Sequence, residues 1–389
     1  MRAWSLAGIC AVLFASVLTA WVPERWPRSI LEVGSFGLAL AWAVKLAGSG
    51  ERPRIALVLG PVAMLVAWGL AQIACGWTVA SSETVRWTLA WAANLALMFA
   101  CLETFAQSGM RRRFLDVLLW FAVAVSAAGI AQSLSAGGRI FWLFPERDPT
   151  GTIGPVPYHA NFAVFIEAIL PLALIAALED SRKRLWASFM AAVMIAAVVV
   201  SASRGGFVML MVETVAVMAL CARRKRSGWR RVVPAITVIV ATIAAVAAMA
   251  GWSNLTARLQ LPDPFAGRRE MLISTIQMTQ DHFWTGVGFG NWPVAYPGYA
   301  LYDDGLFANQ AHSDWGQFTA EGGVIGLAAF GALFVLALRC AFRNVWYIGL
   351  VCVFAHAFFD YPFQKPQIAA VVMALLAAAE NSTSLRRES

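Results

Sequence analysis

Charged residues are scarce in this sequence, and their scarcity excludes most classes of soluble protein. Asp, Glu, Lys and Arg make up 13% of the 389 residues, whereas 60% are hydrophobic. An ordinary soluble domain is about 25% charged and about 45–50% apolar, and a soluble globule could not cover so much apolar surface with so few charges. The same composition excludes disordered, coiled-coil and disulfide-stapled secreted proteins. The mean hydropathy of +0.66 favours an integral membrane protein.

Cysteine and histidine are also few, and their spacing argues against the common metal centres. The six cysteines lie in or beside apolar runs and form no CxxC pair, so we interpret them as small packing residues. The four histidines form no HxxxH or HExxH motif, and no carboxylates cluster with the spacing of metal ligands. We therefore expect no metal ion and no cofactor.

Long apolar runs are what the sequence has instead. A membrane-spanning helix needs about 20 apolar residues, and the sequence contains about 12 such runs. The interruption of the seventh and eighth runs by Ser-Arg-Gly-Gly indicates either a tight hairpin outside the membrane or a broken helix. The predicted fold class is an all-α integral membrane protein. The predicted spans are 4–22, 30–47, 54–75, 86–107, 114–134, 160–178, 185–201, 205–221, 232–251, 323–339, 343–360 and 366–380.

Membrane topology explains most of the net charge of +8. An even number of helices puts both termini on one side, and the loops on that side hold about twice as many Lys and Arg residues as those opposite. The positive-inside rule then predicts cytoplasmic termini, so nucleic acid is not needed as a partner. The expected organisation is helices 1–9 over 1–251, a periplasmic loop region over 252–322, and helices 10–12 with a cytoplasmic tail over 323–389.

Three arginines on the predicted outer side have unusual neighbours. Arg204 lies between two apolar helices, where a charge costs about 2.5–3.5 kcal/mol unless it is paired or hydrated. Arg268 and Arg269 come just before a predicted amphipathic helix. Guanidinium groups suit diphosphate oxygens, so arginines converging from these segments would form a diphosphate clamp. Alternatively, Arg204 is a snorkelling interfacial residue and Arg269 a solvated helix residue.

The most informative segment precedes the tenth predicted span. His312 stands just before a helix that enters the membrane, and a histidine with a nearby carboxylate is the usual equipment of a general base. On a helix, Asp314, Gln317 and Glu321 share one face. Asp314 or Ser313 would alternatively cap the helix instead of taking part in chemistry.

Two carboxylates and one histidine–aspartate pair within the predicted spans are also functional candidates. Glu167 and Glu213 are intramembrane carboxylates, which are functional candidates by default, although pairing with a buried arginine explains them equally well. His356 and Asp360 are spaced i, i+4, so one helical turn would let them hydrogen-bond to each other. We interpret this pair as support for a site rather than as catalysts.

The glycine-rich segment 286–290 (G-V-G-F-G) contains two GxG steps but follows no predicted strand. A dinucleotide-binding loop would follow a strand and open a helix. We therefore interpret this segment as a turn that packs the long outer loop onto the membrane helices.

Taken in order, these segments resemble the signature of the O-antigen ligase and polymerase superfamily. The string A-H-S-D-W-G-Q at 311–317, followed by E-G-G-V-I-G at 321–326, is similar to the family pattern A-H-N-x-x-L-Q followed by E-x-G-x-x-G. Ser313 replaces the Asn that is common after the histidine. The other matches are S-R-G-G at 203–206, G-R at 267–268, T-G-V-G-F-G-N at 285–291, Y-P at 296–297, H-A-F-F-D-Y-P at 356–362 and Y-H-A-N-F-A at 158–163. The last string resembles the family's N-x-N-x-x-A segment, with His159 where Asn is expected.

The resemblance implies a GT-C-like membrane glycosyltransferase in the bacterial inner membrane, with its active site facing the periplasm. Such enzymes move a glycan from undecaprenyl diphosphate to lipid A-core or to a growing glycan, without a metal or a sugar nucleotide. By this resemblance, Arg204 and Arg268 would bind the diphosphate leaving group, and His312 would deprotonate or orient the acceptor hydroxyl. The substrate-binding candidates are Arg269, Asp314, Gln317, Glu321, His159, Asn161, His356 and Asp360.

Three other functions fit parts of the sequence. An O-antigen or exopolysaccharide polymerase belongs to the same superfamily. A transporter or a lipid-linked glycan flippase also fits about 12 helices with both termini inside, although a flippase should carry charges along a central path rather than at the outer side. A non-catalytic membrane subunit of an envelope assembly complex is the third, and the outer arginines and histidine argue against it.

Overall fold

The computed structural model describes residues 2–107, 109–145, 153–180, 182–224, 266–301 and 307–384, together with residues 237, 240 and 305. This part of the chain is overwhelmingly helical. Its strands are limited to a two-stranded antiparallel ribbon, in which β1 (Arg139–Ile140) pairs with β2 (Phe144–Pro145). The ninth predicted span, 232–251, and the start of the predicted loop region fall almost wholly outside the described residues.

Every other predicted span overlaps a helix, as expected for a chain built from long apolar runs. The helices are α1 (Arg2–Leu18), α2 (Trp26–Ser49), α3 (Leu59–Cys75), α4 (Ser81–Phe105), α5 (Met110–Ser135), α6 (His159–Glu167), α7 (Leu170–Glu179), α8 (Arg184–Val200), α9 (Arg204–Arg224), α10 (Ala266–Asp281), α11 (Trp292–Ala295), α12 (Asp314–Arg343), α13 (Ile348–His356) and α14 (Pro366–Ser384). Short 3-10 turns occupy Tyr296–Gly298, Val345–Tyr347 and Pro362–Gln364.

Six helical stretches among the described residues are long and apolar enough to cross a membrane: α2, α4, α5, α6 with α7, the first 18 residues of α9, and α12. Shorter apolar helices lie in α1, α3, α8, the segment 345–356 and α14. Together with the composition, these helices make the chain an all-α, multi-pass membrane protein. The total of about 12 spans stays a prediction.

The helices pack around α4, which contacts α2, α3 and α14 along much of its length. A second group forms where α6 and α7 meet α8, α9 and α13. Phenylalanine rings pack together along α12. Phe318 stacks on Phe330 with ring centroids 4.4 Å apart, and the ring centroids of Phe363 and Phe354 are 4.8 Å apart. Phe330 also lies 5.1 Å from Phe354 between ring centroids, so these rings join α12 to α13 and to the 3-10 turn at Pro362–Gln364.

The sequence predicts one helix over 160–178, whereas the structure breaks it into α6 and α7. Pro171 is the cause, because it lacks the N–H that would bond to the carbonyl of Glu167 and its ring clashes with that carbonyl. Helix α13 covers the freed carbonyl at Gly349, where an added Cβ would lie 2.4 Å from Glu167 O. The break leaves α6 as a short helix that begins at the candidate site.

Two further irregularities shape the same region. The chain between α8 and α9 stops being helical at residues 201–203, so the apolar stretch 185–221 forms two helices rather than one. Helix α12 begins at Asp314, inside the segment predicted as loop, and its backbone leaves the helical conformation at Gly323 (φ 59°, ψ −154°). At that kink the Val324 N–H donates to the carbonyl of Phe283, at 2.8 Å. The kink thus ties the segment after α10 to the membrane helix.

Candidate active site

Arg268 lies in the first turn of α10 and contacts two segments that are distant in sequence. Its Nη1 donates to the carbonyl of Phe359 at 3.0 Å, and its Nη2 donates to the hydroxyl of Tyr158 at 2.6 Å. Asp360 Oδ2 lies 3.9 Å from the same Nη2. The guanidinium is half-buried, so three partners orient a charged group that still reaches solvent.

His312 lies beside the same tyrosine, among aromatic rings. Its ring centroid is 6.0 Å from that of Tyr158 and 4.9 Å from that of Tyr361, in edge-on orientations. The two tyrosines stack on each other with centroids 5.3 Å apart. The Nδ1 atom of His312 is buried and makes no hydrogen bond to any described residue. The imidazole is therefore held by rings rather than by polar partners.

Burial and neighbouring cations keep this imidazole neutral. Burial is the largest cause, followed by the charges of Arg268 and Lys365, and together they lower the pKa of His312 to about 4. Burial also raises the pKa of Tyr158. At neutral pH the site therefore pairs a phenol that keeps its proton with an imidazole that can accept one.

The backbone around these residues is strained. Among the described non-glycine residues, five have φ in the left-handed region, and two of them, Phe141 and Trp142, form the turn of the β ribbon. The other three are Tyr158 (φ 68°), Ala202 (φ 52°) and His312 (φ 53°). Such conformations cost about 1–3 kcal/mol each and cluster at functional sites. Tyr158 and Ala202 adjoin the motif residues His159 and Ser203, and His312 is itself a motif residue.

Arg204 enters the site from the start of α9. Burial raises the pKa of Tyr158, and the positive charges of Arg268 and Arg204 both oppose that rise. The Oγ of Ser203 caps α9 by accepting from the N–H of Gly206, at 3.1 Å. A Cβ added at Gly205 would lie 3.0 Å from His356 Nε2, so this helix begins in direct contact with α13.

His356 pairs with Glu167, and the hydrogen bond to Asp360 expected from the sequence does not form. The Nδ1 of His356 lies 3.0 Å from both carboxylate oxygens of Glu167. Helix α13 ends at His356, so Asp360 is not one helical turn further on and contacts Arg268 and the N–H of Tyr361 instead. The intramembrane Glu167 therefore has a histidine partner rather than the arginine considered above.

Glu321 and Gln317 lie behind this cluster, in the packing of the glycine-rich turn. Glu321 accepts hydrogen bonds from the N–H groups of Gly290 (2.8 Å) and Trp292 (3.1 Å) and from Gln317 Nε2 (2.9 Å). Gln317 Oε1 in turn accepts from the N–H of Ala311, at 3.1 Å. A chain of polar contacts thus runs from the glycine-rich turn to the residue immediately before His312.

The turn itself packs onto the membrane helices, as the sequence predicted. Gln72 of α3 donates to the carbonyls of Thr285 (2.7 Å) and Glu321 (2.8 Å) and accepts from the N–H of Phe289 (3.2 Å). Gly290 has φ 77°, and an added Cβ would lie 1.8 Å from Trp87 Cδ1. Sequence reasoning missed Gln72, whose signal is an amide within an otherwise apolar span.

Asp314 fastens the start of α12 to the turn after α13. Its Oδ2 accepts from the N–H of Phe363 at 2.8 Å, and its Oδ1 accepts from Gln364 Nε2 at 3.1 Å. The cap of α12 is Ser313, whose Oγ accepts from the N–H of Gly316 at 3.2 Å. Of the two capping alternatives in the sequence, the structure has Ser313.

The remaining candidates differ in exposure. His159 is half-buried, with its ring centroid 4.8 Å from that of Tyr158. Asn161 is fully buried, and neither polar atom of its side chain has a partner among the described residues. Arg269 is exposed on α10. Sequence reasoning also missed Tyr158 and Tyr361, although both lie inside matched strings.

The motif residues thus form one cluster, in which some side chains lie near Tyr158 and others hold the backbone around it. Arg268, His159 and His312 lie against Tyr158, and the charge of Arg204 acts on the same phenol. Asp314, Gln317 and Glu321 hold the backbone behind them. Among the described residues, no group of three or more His, Cys, Asp and Glu side chains is arranged to hold a metal ion.

Comparison with known families agrees with the resemblance in the motifs. Residues 189–331 match the model of a family described as O-Antigen ligase. The match includes Arg204, Arg268 and His312, and it confirms the resemblance to the O-antigen ligase and polymerase superfamily. Members of this family are glycosyltransferase-like enzymes that act in bacterial membranes on lipid-linked glycans. A search of curated proteins found no match.

Proposed function

We propose that this chain is an O-antigen ligase-like glycosyltransferase, which moves a glycan from undecaprenyl diphosphate to an acceptor hydroxyl at the periplasmic face of the inner membrane. The observation that carries the proposal is the contact of Arg268 with Tyr158, which lies beside a neutral His312. Two cationic groups and one proton acceptor are the groups that transfer from a lipid diphosphate requires.

In the proposed reaction, the acceptor hydroxyl gives its proton to the imidazole of His312 as its oxygen bonds to the anomeric carbon of the donor. The bond between that carbon and the diphosphate oxygen breaks, and the diphosphate leaves with the electron pair. Arg204 and Arg268 offset the negative charge that develops on this oxygen. The imidazolium then releases its proton to water or to the departing diphosphate, which restores the starting state.

Donor binding also tunes the base. In the free protein, the charges of Arg268 and Lys365 help to lower the pKa of His312. A bound diphosphate brings negative charge next to Arg268, which offsets this effect and raises the pKa of the imidazole. His312 therefore becomes the stronger base when the donor is present, so deprotonation of the acceptor follows donor binding.

Substitution of the three central residues tests this assignment. We expect Arg204→Ala, Arg268→Ala and His312→Ala each to lower transfer at least about hundredfold, as removal of a charge-stabilising donor or a general base does in other enzymes. Arg112→Ala, at an exposed position near the start of α5, is the matched control and should keep full activity. Near-normal transfer in all three site variants, at normal expression and membrane insertion, would contradict the assignment.

A deletion strain separates the ligase from its alternatives. Loss of glycan from lipid A-core, with polymer left on the lipid carrier, identifies a ligase. Loss of long chains with single-repeat products retained identifies the polymerase. Unaltered surface glycans with a defect in solute uptake would favour a transporter. Arg204, Arg268 and His312 each lie at or just before the start of a helix rather than along its length. This placement favours transfer over transport, because polar residues along a helix mark transport paths within a membrane.

A further inference from the structure

A large cavity opens beside the candidate site and takes no part in the chemistry assigned above. Its volume is about 910 Å³, and it lies between the α1–α2 connection, the β ribbon and the chain from Gln364 to Gln367. Small-molecule sites have volumes of about 300–1,000 Å³. The cavity therefore has the size of a binding site rather than of a packing defect.

Three of the residues that line the cavity connect it to the candidate site. Pro157 precedes Tyr158, and Asn309 lies three positions before His312. The third lining residue is Lys365, whose charge contributes to the lowered pKa of His312. Lys365 Nζ lies 5.6 Å from the ring centroid of Tyr361, and that centroid is 4.9 Å from the centroid of His312. Tyr361 therefore connects the cavity to the imidazole, which does not itself line the cavity. Neither of the arginines assigned to the diphosphate, Arg204 or Arg268, lines the cavity.

The wall chemistry suits sugar rings. Trp21, Trp26 and Phe144 line the cavity, and the rings of Trp21 and Phe144 lie 4.7 Å apart. Trp26 is 51% exposed, although its side chain is the largest of the standard set. Aromatic faces bind the apolar C–H faces of sugars, while the side chains of Glu24 and Lys365 offer hydrogen bonds to hydroxyl groups. A lipid tail would need neither charge.

We propose that this cavity binds the saccharide of the acceptor, with the sugar rings against Trp21 and Trp26 and the reacting hydroxyl directed towards His312. This inference rests on the proposed ligase function, because it assigns one of the two substrates to a place. It separates the acceptor from the donor, whose diphosphate lies at Arg204 and Arg268. Transfer then takes place at His312, where the two binding regions meet.

Photo-crosslinking in the full-length protein tests this assignment. Trp26 is replaced by the photoreactive residue p-benzoylphenylalanine, and the variant is expressed in a strain that lacks its own copy of this chain. The acceptor probe is the lipid A-core of that strain. Phe342 is the matched control, because it is 80% exposed and lies at the end of α12 opposite to His312, about 30 Å of helix beyond the kink at Gly323.

We expect irradiation to join lipid A-core to the Trp26 variant and not to the Phe342 variant. An adduct with the undecaprenyl-linked glycan, or no saccharide adduct at Trp26, overturns the inference. The unsubstituted chain is tested in the same strain for ligation of glycan to lipid A-core. If it fails to ligate, the proposed function is wrong; if it ligates and Trp26 gives no adduct, only the cavity assignment is wrong.

Steady-state kinetics provide a second test, because a purely structural role of Trp26 would not change the KM for the acceptor alone. With purified lipid A-core as the varied substrate, Trp26→Ala should raise the KM for the acceptor about tenfold. The KM for the lipid-linked donor and kcat at saturating acceptor should stay within about twofold. If Trp26→Ala raises the KM for the acceptor and the KM for the donor equally, Trp26 supports the fold and does not bind the acceptor.

Discussion

Arg268 Nη2 donates to the hydroxyl of Tyr158 at 2.6 Å, and this bond joins two residues that are 110 positions apart in sequence. Arg268 belongs to the segment that follows the described part of α9, whereas Tyr158 immediately precedes α6. Because the phenol accepts from a charged donor, the bond fixes the direction of the guanidinium. The tyrosine is therefore a positioning residue for the arginine assigned to the diphosphate.

Tyr158→Phe should lower transfer about tenfold, since a hydrogen bond to a charged group contributes about 1.5–3 kcal/mol. The loss should appear in kcat/KM for the donor, because the guanidinium loses its orientation and keeps its charge. Tyr347→Phe is the matched control, as its hydroxyl donates to the carbonyl of Ala378 in a buried position away from the site. Equal activity of the two variants would show that Tyr158 does not position Arg268.

The sequence predicts the apolar helices and the main residues of the cluster. Apolar runs of sufficient length report helices directly, because the bilayer demands them. Arg204, Arg268 and His312 are visible for a related reason, since polar side chains beside apolar runs need an explanation. Their convergence on Tyr158 is not visible, because it depends on how α6, α10 and α12 meet.

Other details depend on tertiary contacts that no local pattern contains. The pairing of His356 with Glu167 joins the last residue of α13 to the last residue of α6, so it depends on how these two helices pack. The i, i+4 spacing of His356 and Asp360 predicts a contact between them, but the helix ends at His356 and the contact does not form. Gln72 likewise reads as one amide in an apolar helix, and only the structure shows the three backbone groups that it holds.

The glycine-rich turn gives a prediction for stability. Gly290→Ala should lower the melting temperature by several degrees, because φ is 77° and the new Cβ would overlap Trp87; overpacking of this kind costs about 1–3 kcal/mol. Gly298→Ala is the matched control in the same loop, with no atom within 4 Å of the added Cβ. Thermal unfolding in detergent should separate the two variants. Equal melting temperatures would mean that the turn does not pack tightly on α4.

The two intramembrane carboxylates should respond in opposite directions. Glu213 is fully buried, and neither of its oxygens has a partner among the described residues, so Glu213→Leu should raise the melting temperature by removing an unpaired polar group, which costs about 1–3 kcal/mol. Glu167→Leu should lower it, because it leaves His356 without its partner. A loss of stability in both variants would show that Glu213 has a partner that stabilises the fold.

The pH dependence of transfer reports on His312. Because the pKa of this imidazole is lowered to about 4, it is neutral above that pH, and kcat/KM for the donor should be flat between about pH 5 and 8 and fall as the pH drops through about 4. Lys365→Gln removes one of the cations that lower the pKa, so the acid limb should move to higher pH, towards the ordinary value of 6.5. Lys183→Gln, at an exposed position before α8, should leave the limb in place. An acid limb near pH 6.5 in the unsubstituted protein would show that His312 is not the proton acceptor, because a buried imidazole beside two cations does not hold its proton at that pH. An acid limb that stays at the same pH in Lys365→Gln would show the same.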